Sequence, residues 1–271
     1  STESSKTAAQ NQSSTTNTTD DSTGTAEQVA GGDRPETISE PELDIRAKPL
    51  LEDTGRKRYP TLGTADETVT VYGNWKCPYT QEFVRQQFGE LVEEFVATGD
   101  VSIEFRTVSY ANGDPYLGED APTAAEAGLA VWDIDPSGFW DYFAYVFANQ
   151  PQERFEWATT DNLVRFVERA GVDGIDQIRQ AIRSRTYNHG VEQSADRADE
   201  TSISTVPRVV YGDTVTAPTV DPESTREQFE QAANEGSLFG DDSDSDDDSS
   251  ADDDDSGGSD DNDQSLAGHD E

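Results

Sequence analysis

The chain has 271 residues, and its 57 Asp and Glu against 19 Lys and Arg give a formal net charge of −38. Such a charge repels phosphate backbones and argues against nucleic-acid binding. No stretch approaches 18 consecutive apolar residues, so the sequence predicts no membrane span. One Cys and two His residues exclude a disulfide framework and argue against a metal site. We therefore expect neither a metal nor a cofactor.

The acidic residues are dense in a C-terminal tail but are not confined to it. Residues 241–271 contain 15 Asp or Glu and no Lys or Arg, and acids also occur along every predicted helix. High carboxylate density keeps a protein soluble where salt screens the repulsion. We therefore expect a protein from a high-salt environment, such as a halophilic archaeon. The alternative is an ordinary acidic protein with an acidic tail.

Large apolar residues fall almost wholly between Ile38 and Phe239, which predicts one folded domain between two tails. Residues 1–33 are rich in Ser and Thr and predict a disordered spacer. Residues 34–57 contain several Pro and predict an irregular lead-in. The folded domain is expected at residues 58–236, and a disordered acidic tail at residues 237–271.

The spacer bears on localisation. The chain contains no Met, which predicts that a segment such as a signal peptide was removed before Ser1. The sequons at Asn11 and Asn17 matter only outside the cytoplasm. These features together predict an extracytoplasmic protein, secreted or tethered by a lipid upstream of residue 1.

The folded part opens with a β–α–β pattern. Residues 68–72 are rich in β-formers and predict a strand, and residues 101–108 alternate in polarity and predict a second one. A helix is predicted between them, with apolar residues at spacings of four, three and four: Val84, Phe88, Leu91 and Phe95.

A helical block and a ββα unit follow. Apolar spacing predicts four or five helices within about residues 115–200. Two strands are predicted on either side of the turn at Gly212, and Pro222 opens a last helix. The chain therefore has α/β character, with the order βαβ, helical block, ββα.

Cys77 is placed where the first predicted strand gives way to a helix, with Pro78 as the first helical residue. A thiol there faces unpaired backbone N–H groups and the positive end of the helix dipole. Both favour the thiolate and make the sulfur nucleophilic, and Lys76 acts in the same direction. The alternative is that Cys77 is a small buried hydrophobe.

The segment Trp75-Lys76-Cys77-Pro78-Tyr79-Thr80 resembles the active-site stretch of DsbA-like proteins, whose usual motif is Cys-Pro-Tyr-Cys or Cys-Pro-His-Cys. The element order, the Tyr-Pro-Thr-Leu-Gly approach at residues 59–63 and Thr205-Val206-Pro207 before a strand add to this resemblance. It covers about residues 58–235. The resemblance implies a thioredoxin-like fold with an inserted helical domain and a thiol–disulfide oxidoreductase activity.

The resemblance also implies which residues bind a client. Thr205-Val206-Pro207 matches a cis-proline loop that faces the active-site cysteine in this family. The backbone of Val206 would pair with an extended client peptide. Pro78, Tyr79, Val206 and Pro207 are therefore the expected client-binding residues, with a trans Pro207 at a strand start as the alternative.

The sequence departs from the family's motif at two positions. Thr80 stands where the family has its second Cys, and Val71 stands where thioredoxin-like proteins often have a buried acid. A dithiol cycle is therefore absent, and Cys77 and Thr80 are the candidate catalytic residues. Thr80 either donates its hydroxyl to the Cys77 thiolate or is an ordinary residue of the first helical turn.

Two classes of function follow. The first is a monothiol oxidoreductase in which Cys77 forms mixed disulfides with proteins or small-molecule thiols and disulfides. The alternative is a redox-inactive thioredoxin-fold module that binds a peptide or a partner. A glutathione-transferase-like activity is a more distant third hypothesis.

Overall fold

The computed structural model describes residues 34–35, 37–43, 45 and 57–239. The described part of the lead-in contains no helix or strand. The predictions of disorder for residues 1–33 and for the tail from residue 240 onward lie outside the described residues.

A mixed five-stranded sheet forms the centre of the fold, in the order β1-β3-β2-β6-β7. The strands, in chain order, are β1 (Thr61–Leu62), β2 (Thr68–Gly73), β3 (Ser102–Thr107), β4 (Tyr110–Ala111), β5 (Asp114–Pro115), β6 (Arg208–Tyr211) and β7 (Thr214–Thr216). β4 and β5 pair separately as a short hairpin. β2 lies parallel to β3, whereas β6 lies antiparallel to β2. The two strands predicted at residues 68–72 and 101–108 thus share one sheet.

The helix that follows β2 carries the predicted apolar stripe. It begins with α1 (Pro78–Phe83), passes through π-helical turns at Val84–Phe88, continues as α2 (Gly89–Leu91) and ends in π-helical turns at Val92–Val96. The four residues of the stripe are all buried: Val84, Phe88, Leu91 and Phe95. Gly99, with a φ of +86°, then turns the chain toward β3.

Five α-helices are inserted between the β4–β5 hairpin and β6. They are α3 (Ala121–Ile134), α4 (Phe139–Asn149), α5 (Thr160–Ala170), α6 (Ile175–Arg183) and α7 (Asn188–Glu200). Local signals set their ends: the Thr159 hydroxyl accepts the Asn162 N–H at the start of α5, and Gly171 closes it with a φ of +70°. The predicted thioredoxin-like order with an inserted helical domain is confirmed.

The last helix, α8 (Pro222–Phe239), packs against β6 and β7. It begins at Pro222, as the sequence predicts. It runs on to Phe239, however, so the domain boundary predicted at residue 236 falls inside the helix. The predicted boundary lies three residues before the end of the helix.

Trp75 joins the helical block to the end of β2. Its indole is buried and stacks on Phe147 with ring centroids 5.3 Å apart. Edge-on contacts to Phe105 and Phe143 complete the packing. Gly128 of α3 allows this approach, because a Cβ there would lie 2.6 Å from the indole ring. The aromatic residues of α4 are thus core residues that fix the segment leading to Cys77.

Candidate active site

Cys77 occupies the N-cap position of α1, four residues after the end of β2. Its backbone is extended, with φ −73° and ψ 124°, and Pro78 is the first helical residue. The predicted placement at a strand-to-helix junction is therefore what the structure has. Cys77 is only 3% exposed, so a reactant must fit closely to reach the sulfur.

Asn74, which the sequence analysis did not single out, holds the segment between β2 and α1. Its buried side-chain amide donates to the carbonyl oxygens of Val108 at 2.8 Å and Tyr116 at 3.1 Å. Its side-chain oxygen accepts the Lys76 N–H at 2.8 Å. Every polar atom of this buried side chain is therefore used to fix the loop. The only signal in the sequence was a Gly-Asn pair directly after a strand.

Lys76 forms a buried ion pair with Asp120 of the helical block. Its side chain is 1% exposed, and its ammonium is bonded to a carboxylate oxygen of Asp120 and to the Phe155 carbonyl at 3.0 Å. The other Asp120 oxygen accepts the Ala158 N–H at 2.8 Å. The Lys76 charge is thus paired with Asp120 and ties the loop to the helical block. This corrects the expectation that Lys76 serves to favour the thiolate.

The thiol of Cys77 faces the proline loop. Its sulfur donates to the Val206 carbonyl oxygen at 3.5 Å. The Val206–Pro207 peptide bond is cis, and both residues are buried. Cys77 and Val206 share a small apolar cluster, completed by Tyr72, Val108, Ala198 and Ile203. The structure therefore brings together the two chain segments that the resemblance places opposite each other.

Thr80 lies one turn into α1 and is completely buried. Its hydroxyl oxygen accepts the main-chain N–H of Asn74 at 3.3 Å. Within residues 57–239, the hydrogen bond of the Cys77 sulfur goes to Val206, and none joins it to Thr80. The position of the missing second thiol is thus filled by a hydroxyl that supports the loop.

Val71 fills the position where related proteins often have a buried acid. It is 1% exposed and lies in the middle of β2, paired with Phe105 on one side and Val209 on the other. Val71 and the two residues that pair with it are apolar, so none of the three offers a proton acceptor to a second thiol.

Pro78 and Tyr79 form the exposed rim of the site. Tyr79 is 60% exposed beside the buried thiol. Pro78 and Gln81 border a cleft of about 350 Å³ whose far wall is the segment 150–154 that follows α4. A second cleft of about 540 Å³ runs from Pro78 along α1 to the lead-in residues 39–43. Both clefts reach Pro78, the residue that follows the thiol, whereas Cys77 itself lines neither of them.

Tyr116 is the ionisable neighbour of the thiol. Burial raises the pKa of its phenol, and the nearby Cys77 and Glu153 raise it further, whereas Arg208 lowers it. The phenol therefore remains protonated at neutral pH and is a neutral group beside the sulfur.

The described part of the chain offers no metal centre: no three His, Cys, Asp or Glu residues are grouped so that they could hold an ion. Among the same residues, none of the helices is both long and apolar enough to cross a membrane.

The chain is similar in sequence to disulfide bond formation proteins of bacilli. Disulfide bond formation protein D of Bacillus subtilis (strain 168) is 28% identical over 177 residues, which are 65% of this chain and 77% of the relative. A probable disulfide bond formation protein D of Bacillus cereus is 27% identical over 164 residues, 59% of this chain and 73% of the relative.

Solved structures agree with the fold. Oxidised BdbD from Bacillus subtilis is 25% identical and superimposes with a TM-score of 0.56, covering 73% of this chain and 97% of BdbD. Chlamydia trachomatis DsbA gives a TM-score of 0.55 at 23% identity, covering 69% of this chain and 96% of DsbA. A family model described as thioredoxin matches residues 62–231, from β1 to within α8. The chain therefore belongs to this thioredoxin family.

Proposed function

We propose that this protein is a thiol–disulfide oxidoreductase that works through Cys77 alone. The observation that carries the proposal is the placement of a single thiol at the start of α1, opposite the cis Val206–Pro207 bond. Its relatives are named disulfide bond formation proteins, which supports the same general chemistry here.

The reaction needs no external oxidant in its first step. The Cys77 thiolate attacks one sulfur of a client disulfide, and a new sulfur–sulfur bond forms as the client's own bond breaks. The displaced client sulfur leaves as a thiolate and takes a proton from water. Because Thr80 replaces the second thiol, the mixed disulfide persists until an external thiol attacks it. The clients are disulfide-containing proteins or small-molecule disulfides.

The client lies across Pro78, Tyr79, Val206 and Pro207 in this proposal. An extended peptide pairs with the Val206 backbone, as in other cases of strand addition. The exposed Tyr79 ring then covers the apolar side of the peptide. Because the sulfur is almost wholly buried, the client must dock before the attack can take place.

The test is a non-reducing gel of the protein mixed with a disulfide-containing peptide at high salt. We expect a mixed disulfide that persists with the wild type, is absent in Cys77→Ser and is released by added thiol. Arg183→Gln, at an exposed position of α6, serves as a control that leaves the thiol in place. If the wild type and Cys77→Ser give the same bands on this gel, the proposal that the protein is an enzyme is rejected.

One observation favours the alternative of a redox-inactive binding module. The Cys77 side chain is buried in an apolar cluster with Val206, which is the usual setting of a structural cysteine. If the peptide binds wild type and Cys77→Ser equally well and without a covalent bond, this second function takes the place of the first.

We further propose that the protein works outside the cytoplasm at high salt, as in a halophilic archaeon. Disulfide exchange with protein clients belongs to oxidising compartments, and a net charge of −38 suits a medium that screens repulsion. Cell fractionation that finds the native protein in the cytosol would contradict this, and a membrane fraction that releases it only with detergent would support a lipid tether.

A further inference from the structure

Arg208 is fixed at the edge of the proline loop. It is the first residue of β6, directly after the cis bond between Val206 and Pro207. Its guanidinium donates to the Pro207 carbonyl oxygen at 2.7 Å and to the Thr205 hydroxyl. These two bonds hold a positive group in one place beside the loop.

The guanidinium of Arg208 is not paired with a carboxylate, in contrast to the guanidinium groups of three other arginines. Arg106, Arg185 and Arg226 each pair with a glutamate. Over the described ranges up to residue 239, no carboxylate lies within ion-pair distance of Arg208. A guanidinium has more N–H donors than the two bonds to the loop use, and its planar fork matches a carboxylate.

Arg208 and the thiol both form hydrogen bonds to the proline loop, Arg208 to Thr205 and Pro207 and the thiol to Val206. Arg208 is also two residues from Val206, whose carbonyl oxygen is 3.5 Å from the sulfur. Two residues of extended chain span about 7 Å, which is within the reach of an arginine side chain.

We propose that Arg208 selects clients that carry a carboxylate beside the attacked disulfide. The inference rests on the proposed function, since it names the clients of the same thiol. A client strand that pairs with Val206 places the residue next to its cysteine over the start of β6. An acidic residue there forms a bidentate pair with the free edge of the guanidinium, whereas a basic residue meets a like charge.

The experiment measures the rate at which Cys77 forms a mixed disulfide, by intact-protein mass spectrometry at fixed ionic strength. Three peptides differ only in the residue beside the disulfide, which is Asp, Asn or Lys. We expect the wild type to react about fivefold faster with the Asp peptide than with the Lys peptide. Arg208→Gln reduces this ratio to about one, and Arg208→Lys retains part of it.

The ratio between peptides is read within each variant, so a general loss of activity from a disturbed loop does not affect it. Arg183→Gln, an exposed arginine of α6 with the same loss of charge, is expected to keep the wild-type ratio. An Asp preference that survives in Arg208→Gln, or that is absent from the wild type, would overturn the inference. Failure of every peptide to react with the wild type would instead overturn the proposed function.

Two small disulfides, the dicarboxylate dithiodipropionate and the diamine cystamine, distinguish the source of the carboxylate. A preference for the dicarboxylate that depends on Arg208 shows that small-molecule acids are also selected. A preference seen only with peptides shows that the carboxylate belongs to a docked client chain.

Discussion

The hydroxyl oxygen of Thr80 lies 3.3 Å from the main-chain nitrogen of Asn74 and accepts its hydrogen bond. A residue three positions after Cys77 on a helix lies on the same face, where a second thiol would meet the first. In this protein that position instead ties α1 back to the loop before it. The missing second thiol is thus replaced by a structural contact.

Thr80→Cys is expected to give the protein an internal disulfide. The side chains are similar in size, and the new thiol can attack the Cys77–client bond. We expect the lifetime of the mixed disulfide to fall by about tenfold or more, with free client released. Thiol counting after oxidation and quenched gels at successive times measure this.

Thr80→Ser is the matched control, because it retains the hydroxyl that accepts from Asn74 but adds no thiol. Its mixed disulfide should last as long as that of the wild type. Val71 limits the gain in Thr80→Cys, since its buried side chain supplies no base for the new thiol. An unchanged lifetime in Thr80→Cys, with both thiols still free, would contradict the prediction.

The pair of Lys76 and Asp120 is expected to matter for stability. Asp120→Ala leaves a buried ammonium with only the Phe155 carbonyl as partner. Removing one member of a buried pair costs about 3–5 kcal/mol, because the other charge stays buried. Denaturant unfolding at constant salt measures the difference in the free energy of unfolding.

Glu94→Ala is the comparison for Asp120→Ala. Glu94 pairs with Arg226 on the surface, where both side chains are 45% exposed. Its loss should cost less than about 1 kcal/mol. Equal losses in the two variants would show that the Lys76–Asp120 pair is not the anchor that its burial indicates.

The fold could be predicted from the sequence because most of its elements are marked locally. The stripe from Val84 to Phe95 marks one helix, and Gly171 and Pro222 mark the end and the start of two others. β1 and the β4–β5 hairpin were missed, since strands of two residues are too short to show a period.

The site could be predicted only as far as its residues are neighbours in sequence. The junction at Cys77 has a local signature, whereas its approach to Val206 came from the family resemblance. The Lys76 pairing was missed, because Asp120 is 44 residues away and nothing near Lys76 indicates its direction. The roles of Asn74 and Arg208 likewise depend on contacts that only the folded chain brings together.

Gly128→Ala tests whether the position of Trp75 controls the site. An added Cβ would lie 2.6 Å from the indole, so the ring must shift and the segment leading to Cys77 with it. We expect a loss of about 1–3 kcal/mol from overpacking, despite the better helix propensity of Ala. Gly190→Ala in α7 is the control, because its Cβ meets only the flexible end of Leu129. If Gly128→Ala is as stable and as reactive as Gly190→Ala, the position of Trp75 does not control the site at Cys77.

Glu126 is expected to make stability depend on pH. Its carboxyl is buried against Arg185, and one of its oxygens has no partner within residues 57–239. Burial raises the pKa of this carboxyl above its usual 4.5, although Arg185 lowers it in part. A pKa that is raised in the folded state means that Glu126 stabilises the fold in its protonated form. This contribution is present below about pH 4.5 and is lost as the pH rises through the pKa of Glu126 in the folded protein.

The free energy of unfolding of the wild type, relative to Glu126→Gln, should therefore fall from acid to neutral pH. For Glu94→Gln at the surface, the difference from the wild type in the free energy of unfolding should not change with pH. A difference that does not change with pH for Glu126→Gln as well would contradict the prediction.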